Sequence, residues 1–181
     1  MQNHSTMTEK FKKIKAFVFD VDGVLTDGGI LADLNGELYR TFDSKDGMAL
    51  RMAMMKGYRL AIITGGRSES IRQRFRTCGV MPEDVYLGSR AKMEDFTDFC
   101  SRHGLLPEEV MYFGDDLPDI PVMMACGCGT CPSDAVEDVK EIADYITQKP
   151  GGKGCAREAI EKVMRIQGSW NLDVDQYKRN F

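Results

Sequence analysis

Short apolar runs that end at an aspartate or a glycine alternate along the chain with segments of helical pattern. The clearest runs are residues 14–20, 59–65 and 110–115, and each is nearly continuous in hydrophobic side chains. Strands of that composition are buried on both faces, as in parallel sheets. Their alternation with helices predicts an α/β fold, namely a doubly wound, Rossmann-like parallel sheet with helices on both faces.

Further apolar stretches complete the predicted sheet, at residues 85–88, 127–132 and 144–147. The predicted helices occupy residues 47–56, 68–78, 91–103, 117–125, 134–143 and 155–166. Several stop at a glycine, such as Gly57 and Gly104. Glycine adopts the left-handed conformation that commonly ends a helix, so these positions support the helix assignments.

Residues 28–42 depart from this alternation and predict a β-hairpin around Asn35-Gly36, because Asn-Gly is a strong hairpin turn signal. An isolated hairpin is marginally stable in water, so we expect it to pack on something else, such as another subunit. We expect one domain over residues 13–167 that includes the hairpin, preceded by an N-terminal extension at 1–12. The polar tail at 168–181 is expected to be partly disordered.

The composition is that of a globular protein, with 43% hydrophobic and 29% charged residues. No run approaches the roughly 20 apolar residues that span a membrane, and the N-terminus lacks the apolar stretch of a signal peptide. We therefore expect a cytoplasmic protein. The net charge of −4 argues against nucleic-acid binding.

Three of the six cysteines form a cluster, Cys126, Cys128 and Cys131. Three thiols could bind zinc, but a structural zinc site needs a fourth ligand. His4 and His103 are the only histidines, and both are distant in sequence. We favour a structural interpretation, in which small side chains form a strand and turn.

Carboxylates follow two of the predicted strands. Asp20 and Asp22 come after the first, and Asp115, Asp116 and Asp119 come after the fourth. The carboxyl ends of the strands in an open α/β sheet line one crevice, so these acids are expected to meet there. Converging carboxylates raise one another's pKa unless a cation neutralises them, and oxygen ligands of this kind suit Mg²⁺.

Groups that suit a phosphate are expected at the same edge. Thr64 and Gly65 follow the second predicted strand, and Lys92 begins a helix after the third. Hydroxyl, backbone N–H and ammonium groups stabilise a transferring phosphoryl group. A carboxylate can attack phosphorus, and a second acid can transfer the protons. These residues together indicate phosphoryl transfer through an aspartate.

Four segments in this order resemble the motifs of the haloacid dehalogenase-like superfamily: residues 20–26 (DVDGVLT), residues 63–65 (ITG), Lys92 and residues 114–119 (GDDLPD). The resemblance implies that Asp20 is the nucleophile and Asp22 the acid/base.

The same resemblance implies the other roles at the site. Asp20, Asp115 and the backbone carbonyl of Asp22 would hold Mg²⁺. Thr64, with Gly65 beside it, and Lys92 would bind the phosphate. Asp116 and Asp119 would orient these groups.

A closer likeness covers residues 13–167. The hairpin, Asp46-Gly47, Pro121-Val122 and the segment at 151–154 (GGKG) before Arg157-Glu158 look like the 3-deoxy-D-manno-octulosonate 8-phosphate phosphatases. No segment is long enough for a cap domain. The likeness implies a phosphorylated sugar acid as substrate, in lipopolysaccharide precursor synthesis. It also implies a homotetramer with the hairpins at the subunit interface and with shared sites.

The likeness implies that the sugar acid is approached, partly across a subunit boundary, by Asp43, Asp46, Gly47, Arg51 and Arg74. One departure concerns Arg67. The family usually reads Thr-Gly-Arg, whereas this chain reads TGGR at 64–67, which displaces the positive charge by one residue. An eight-carbon sugar acid and a nine-carbon, nonulosonate 9-phosphate therefore both stay open as substrates.

Two non-enzymatic alternatives share some of these features. A phospho-aspartate receiver is a small doubly wound domain with clustered acids, but it has no need of a second aspartate at the position of Asp22. A module associated with a sugar cytidylyltransferase is the other alternative, although no such domain is fused to this chain.

Overall fold

A six-stranded parallel sheet forms the centre of the computed structural model, which describes residues 2–181 and the side chains of residues 7–181. In chain order the strands are β1 (Ala16–Phe19), β2 (Leu31–Ala32), β3 (Leu38–Tyr39), β4 (Arg59–Ile63), β5 (Val85–Tyr86), β6 (Val110–Phe113), β7 (Cys128–Cys131) and β8 (Tyr145–Ile146). The sheet order is β5-β4-β1-β6-β7-β8, and every neighbouring pair is parallel. The prediction of a doubly wound parallel sheet is confirmed.

The helices are α1 (Gln2–Lys13), α2 (Ser44–Met55), α3 (Glu69–Arg76), α4 (Lys92–His103), α5 (Ile120–Ala125), α6 (Glu137–Ile142), α7 (Cys155–Ile166) and α8 (Val174–Asn180). Each helix predicted from the sequence is present, with bounds that shift by up to a few residues. The predicted helix at 117–125 begins with a 3₁₀ turn, Leu117–Asp119. Met1, the first residue of the expected extension, lies outside the described residues.

Alternate residues of β1 enter two hydrophobic cores on opposite faces of the sheet. Phe17 and Phe19 belong to the core formed with α1, α2, α3 and α7. Ala16 and Val18 belong to the core formed with α4, α5 and α6. Helices therefore cover both faces, as the near-continuous apolar strands predicted.

The predicted hairpin is present as the antiparallel pair β2–β3, in which Leu31 pairs with Tyr39. The Gly36 N–H donates to the Asp33 carbonyl at 3.1 Å, and Gly36 adopts a φ of +82°. That left-handed conformation explains the glycine of the turn. Leu31 is 71% exposed and Leu34 is fully exposed, so the hairpin presents apolar side chains outward.

The expectation of a partly disordered tail is wrong, because α8 packs on α2. Asp173 caps α8 by accepting from the Gln176 N–H at 2.9 Å. The Gln176 side chain donates to the Met55 carbonyl at 2.8 Å and anchors the helix to α2. Within residues 2–181, no helix is both long enough and apolar enough to cross a bilayer.

Candidate active site

The chain order reverses across the sheet at β1, which lies between β4 and β6. This arrangement places the residues after these strands beside one another. The Asp20 N–H donates to the Phe113 carbonyl at 2.9 Å, and the Thr64 N–H donates to the Tyr86 carbonyl at 3.0 Å. A cleft of about 450 Å³ is lined by Asp20, Asp22, Thr64, Gly65, Gly66, Ser89, Arg90, Lys92, Asp115, Asp116, Pro118 and Asp119.

Lys92 joins two buried carboxylates at the floor of this cleft. Its Nζ lies 3.1 Å from Asp20 Oδ1 and 2.7 Å from Asp119 Oδ1. Burial disfavours the ammonium charge, but Asp20 and Asp119 outweigh it and raise the pKa of Lys92. Lys92 is therefore charged and held against Asp20 at neutral pH.

Asp119 is fully buried, and its oxygens are occupied by partners of its own chain. Its Oδ1 accepts from the Tyr112 hydroxyl at 2.7 Å, in addition to Lys92. Its Oδ2 accepts from the backbone N–H groups of Asp115 and Asp116 at 3.1 and 3.4 Å. Asp119 thus fixes the position of Lys92 and the path of the chain after β6.

Asp115 is different, because its buried Oδ1 has no hydrogen-bond partner. Asp20, Asp115 and Asp119 each bring an oxygen to within 4.8 Å of the others, and those of Asp119 are already engaged. An unpartnered buried carboxylate oxygen beside Asp20 fits a divalent cation held by Asp20 and Asp115. Gly23 makes room for Asp115, since a Cβ there would lie 1.9 Å from Asp115 Oδ2.

The charges at this floor are costly without a cation. Burial, reinforced by Asp119, raises the pKa of Asp20 to about 7, although Lys92 opposes the shift. Burial, with Asp20 and Asp119, raises the pKa of Asp115 to about 8. A bound divalent cation would favour the ionised form of both carboxylates.

Asp22 lines the cleft and is held by an arginine of the hairpin segment. Arg40 Nε donates to Asp22 Oδ1 at 2.6 Å, and Arg40 Nη2 donates to Asp22 Oδ2 at 3.0 Å. Arg40 was not among the residues expected at the site, because the hairpin was expected to mediate assembly. The signal was a single charged residue in the segment LYRTF, residues 38–42.

Comparison with known proteins identifies the family of the chain. A family model described as haloacid dehalogenase-like hydrolase matches residues 83–158. A 3-deoxy-D-manno-octulosonate 8-phosphate phosphatase of Haemophilus influenzae is 35% identical over 162 residues, which cover 90% of this chain and 89% of the relative. The chain belongs to the haloacid dehalogenase-like hydrolases. Within them it belongs to the family of that phosphatase. This family membership confirms the motif resemblance and the interpretation of the chain as an enzyme. It does not support the receiver alternative.

Other members of the phosphatase family agree with this membership. The Escherichia coli K12 phosphatase is 36% identical over 159 residues, which cover 88% of this chain and 84% of the relative. The Moraxella catarrhalis phosphatase, solved with magnesium, phosphate and KDO, has a TM-score of 0.87 and 31% identity, with 97% of each chain covered. The cobalt-bound Haemophilus influenzae enzyme has a TM-score of 0.85 and 34% identity, with 92% of this chain and 97% of that chain covered.

The residues expected at the sugar end of this phosphatase lie away from the cleft of their own chain. Asp43 caps α2 by accepting from the Lys45 N–H at 2.6 Å. Asp46 is 2% exposed and accepts from the N–H groups of Arg157 and Gly154 at 2.7 and 3.2 Å. Both carboxylates are therefore used within the chain.

The predicted sugar-binding arginines are also engaged within the chain. Arg51 donates to the Thr77 carbonyl at 2.9 Å and to the Tyr177 hydroxyl at 3.1 Å. Arg74 lies against Gly47, where a Cβ would be 2.5 Å from its Nη2. The buried Nε of Arg74 has no hydrogen-bond partner. A sugar-binding role for these residues stays a prediction.

Arg67, the positive charge displaced by one residue after β4, does not line the cleft, and Arg40 lies beside Gly66 instead. Arg67 packs on Gly88, where a Cβ would lie 3.4 Å from Arg67 Cγ, and Arg67 does not line the cleft. Arg40 instead lies beside Gly66, where a Cβ would be 3.2 Å from Arg40 Nη2. Ser89 and Arg90 line the cleft and were missed, although they follow β5 as the other site residues follow their strands.

The glycines at 151 and 152 support the catalytic turn at residues 21–26. A Cβ on Gly151 would lie 1.9 Å from the Gly23 carbonyl oxygen. The Gly152 N–H donates to the Val24 carbonyl at 2.8 Å, and Cys155 Sγ donates to the same oxygen at 3.1 Å. Only glycine permits this close approach of two backbones.

The cysteine cluster is divided by the sheet. Cys128 packs into the core with α7, and Cys131 packs into the opposite core. Burial raises the pKa of both thiols to about 11 and that of Cys126 to about 12. Cys128 and Cys131 on opposite faces of the sheet cannot converge on one metal ion.

Proposed function

We propose that the chain is a magnesium-dependent phosphatase that hydrolyses 3-deoxy-D-manno-octulosonate 8-phosphate to the free sugar acid and phosphate, in lipopolysaccharide precursor synthesis. One observation carries the proposal. Lys92 holds Asp20 beside the unpartnered buried oxygen of Asp115, in a family whose curated relatives carry that activity.

Asp20 acts as the nucleophile. One of its oxygens contacts Lys92, which leaves the other to attack phosphorus and form an aspartyl-phosphate while the bond from phosphorus to the sugar oxygen breaks. Lys92, Thr64 and the adjacent backbone N–H of Gly65 stabilise the charge on the phosphoryl oxygens. A magnesium ion held by Asp20, Asp115 and the backbone carbonyl of Asp22 supplies further charge neutralisation there.

Asp22 transfers the protons. It gives its proton to the departing sugar oxygen and becomes a carboxylate. It then takes a proton from the water that attacks the aspartyl-phosphate, which releases phosphate and restores Asp20. Asp116 and Asp119 hold the loop after β6 in position, since Asp116 caps the 3₁₀ turn and Asp119 accepts from the Asp115 N–H.

The sugar end of the site requires more than one subunit in this proposal. Asp43, Asp46, Gly47, Arg51 and Arg74 would approach the sugar acid across a subunit boundary, with Arg67 near the cleft of its own chain. The exposed apolar tip of the hairpin supports assembly into a homotetramer, because Leu31 and Leu34 would be covered there. We place the enzyme in the cytoplasm.

A substrate panel tests the function. Phosphate release is measured with Mg²⁺ and with excess chelator on the eight-carbon 8-phosphate, a nine-carbon nonulosonate 9-phosphate and hexose phosphates. The expected result is Mg²⁺-dependent turnover with the highest kcat/KM for the eight-carbon acid. A preference for the nine-carbon acid would reassign the substrate, and equal rates on hexose phosphates would reject a sugar-acid phosphatase.

A further inference from the structure

We propose that Arg40 is a positioning residue for Asp22, so that this one residue beside the hairpin acts in catalysis whether or not the hairpin itself mediates assembly. The inference rests on the proposed function, because it takes Asp22 as the acid/base. Arg40 acts through the Asp22 carboxylate, to which it donates, and does not itself line the cleft.

The contact between the two residues is a two-point fork. Arg40 Nε and Nη2 donate to Asp22 Oδ1 and Oδ2 at 2.6 and 3.0 Å. The Arg40 side chain is 3% exposed and that of Asp22 is 28% exposed, so the guanidinium is better shielded from water than in a surface ion pair. A bidentate arginine fixes the plane of a carboxylate as well as its position.

Arg40 contacts Asp22 without lining the cleft itself. Asp22 lines the cleft of about 450 Å³, whereas Arg40 lines a separate cavity of about 380 Å³ beside the hairpin. One lone pair on each Asp22 oxygen is used by Arg40, and the others remain for proton transfer. Arg40 can therefore orient Asp22 without occupying the cleft.

Gly66 provides the space for the guanidinium. A Cβ at this position would lie 3.2 Å from Arg40 Nη2 and 2.8 Å from Ile71 Cδ1, both closer than ordinary contacts. The glycine that replaces the usual arginine after β4 and the arginine of the hairpin segment are therefore a matched pair. The positive charge near the site comes from a different element of the chain.

The hairpin can transmit its position to the acid/base through this residue. Arg40 Nη1 also donates to the Leu38 carbonyl of β3 at 3.3 Å, and Arg40 directly follows that strand. Misplacing a catalytic group by about 1 Å can reduce the rate by roughly 10²-fold. Movement of β3 would thus change the chemical step.

Steady-state kinetics of Arg40→Met, Arg40→Lys and a hairpin control test the inference. We expect kcat to fall about 10²-fold in Arg40→Met with KM within about twofold of wild type, because orientation and not binding is lost. Arg40→Lys keeps a charge but not the fork, and we expect an intermediate loss. Tyr39→Phe removes the neighbouring hairpin contact with Asp33, at 3.1 Å, and should leave kcat unchanged.

A double-mutant cycle shows whether Arg40 acts through Asp22. In an Asp22→Asn background, Arg40→Met should lower the residual kcat no further, because the group it positions is already gone. Additive losses would overturn the inference, as would a wild-type kcat in Arg40→Met or a raised KM with unchanged kcat. If Arg40→Met does not fold, a fully active Arg40→Lys would equally overturn it. An inactive wild-type enzyme would instead reject the proposed function.

Discussion

The floor of the cleft and the face of α2 differ in how completely one chain builds them. At the floor, Asp20, Lys92 and Asp119 contact one another, and Asp115 keeps a buried oxygen free for a ligand. On α2, Asp46 and Arg51 form hydrogen bonds with other residues of their own chain. One chain therefore brings together the residues proposed to bind the phosphate, whereas the residues proposed to bind the sugar do not line the cleft of their own chain.

The largest expected effect comes from the nucleophile. Asp20→Asn should lower kcat by about 10³-fold or more and abolish the aspartyl-phosphate, because an amide cannot attack phosphorus. Phosphate release and mass spectrometry of the trapped intermediate measure both. Asp98→Asn, on the surface of α4, is the matched control and should remain active. Near-normal turnover in Asp20→Asn would show that the reaction does not pass through this aspartate.

The second-largest effect on activity is expected at Gly23, which leaves space for the Asp115 carboxylate. Gly23→Ala places a Cβ 1.9 Å from Asp115 Oδ2 at a φ of +89°, so it should displace the carboxylate. We expect about a 10²-fold loss of kcat/KM and a higher Mg²⁺ concentration for half-maximal activity. A Mg²⁺ titration of activity checks this.

Gly28→Ala is the control for Gly23→Ala, because Gly28 has a similar φ of +80° but its Cβ would meet no atom closer than 3.7 Å. Both variants should lose stability from the strained backbone, by about 1 kcal/mol. Only Gly23→Ala should change the Mg²⁺ requirement. An equal change in both would assign the effect to backbone strain and not to Asp115.

A smaller effect should separate the two ends of the site. Leu34→Asp puts a charge on the exposed hairpin tip and should dissociate the assembly. KM for the sugar acid phosphate should then rise about tenfold, roughly 1.4 kcal/mol, while turnover of a small aryl phosphate changes little. Sedimentation measures the oligomeric state, and steady-state kinetics measure KM on both substrates. Leu106→Asp, at another exposed leucine, is the control. An intact assembly, or equal losses on both substrates, would contradict the proposal that the sugar end of the site, unlike the phosphate end, needs a second subunit.

The last and smallest effect concerns the free energy of unfolding, to which Asp46 contributes in a pH-dependent way. Burial raises the pKa of Asp46 to about 6, above the ordinary value of 3.8. The folded state then binds more protons than the unfolded state between about pH 4 and 6, so this group's contribution to the free energy of unfolding falls as the pH rises. The loss is on the order of 3 kcal/mol across that window.

Asp46→Asn removes this titration and gives the measurement. The free energy of unfolding of wild type minus that of Asp46→Asn should decrease from pH 4 to pH 7 in denaturant titrations. Asp43→Asn, at the N-cap of the same helix and only partly buried, is the control. A difference that stays flat with pH would mean that Asp46 is not held as a buried acid.

Much of the cleft could be predicted because its residues obey a local rule. Asp20, Thr64 and Asp115 each come within two residues of the end of a strand, and the doubly wound fold brings such positions together. Arg40 obeys no such rule, since its contact with Asp22 joins two segments 18 residues apart and depends on how the hairpin packs. The α8 helix was missed because its stability comes from contacts with α2, such as Gln176 with Met55, and not from a strong apolar period.

The support of residues 21–26 by residues 151–155 has a consequence for biosynthesis. The catalytic aspartates are made early, but Cys155, which contacts Val24, lies 131 residues further along the chain. A nascent chain that ended before residue 151 would carry all four motifs but would lack residues 151–155, which pack against residues 21–26. Phosphatase activity should therefore appear only after nearly the whole chain has left the ribosome.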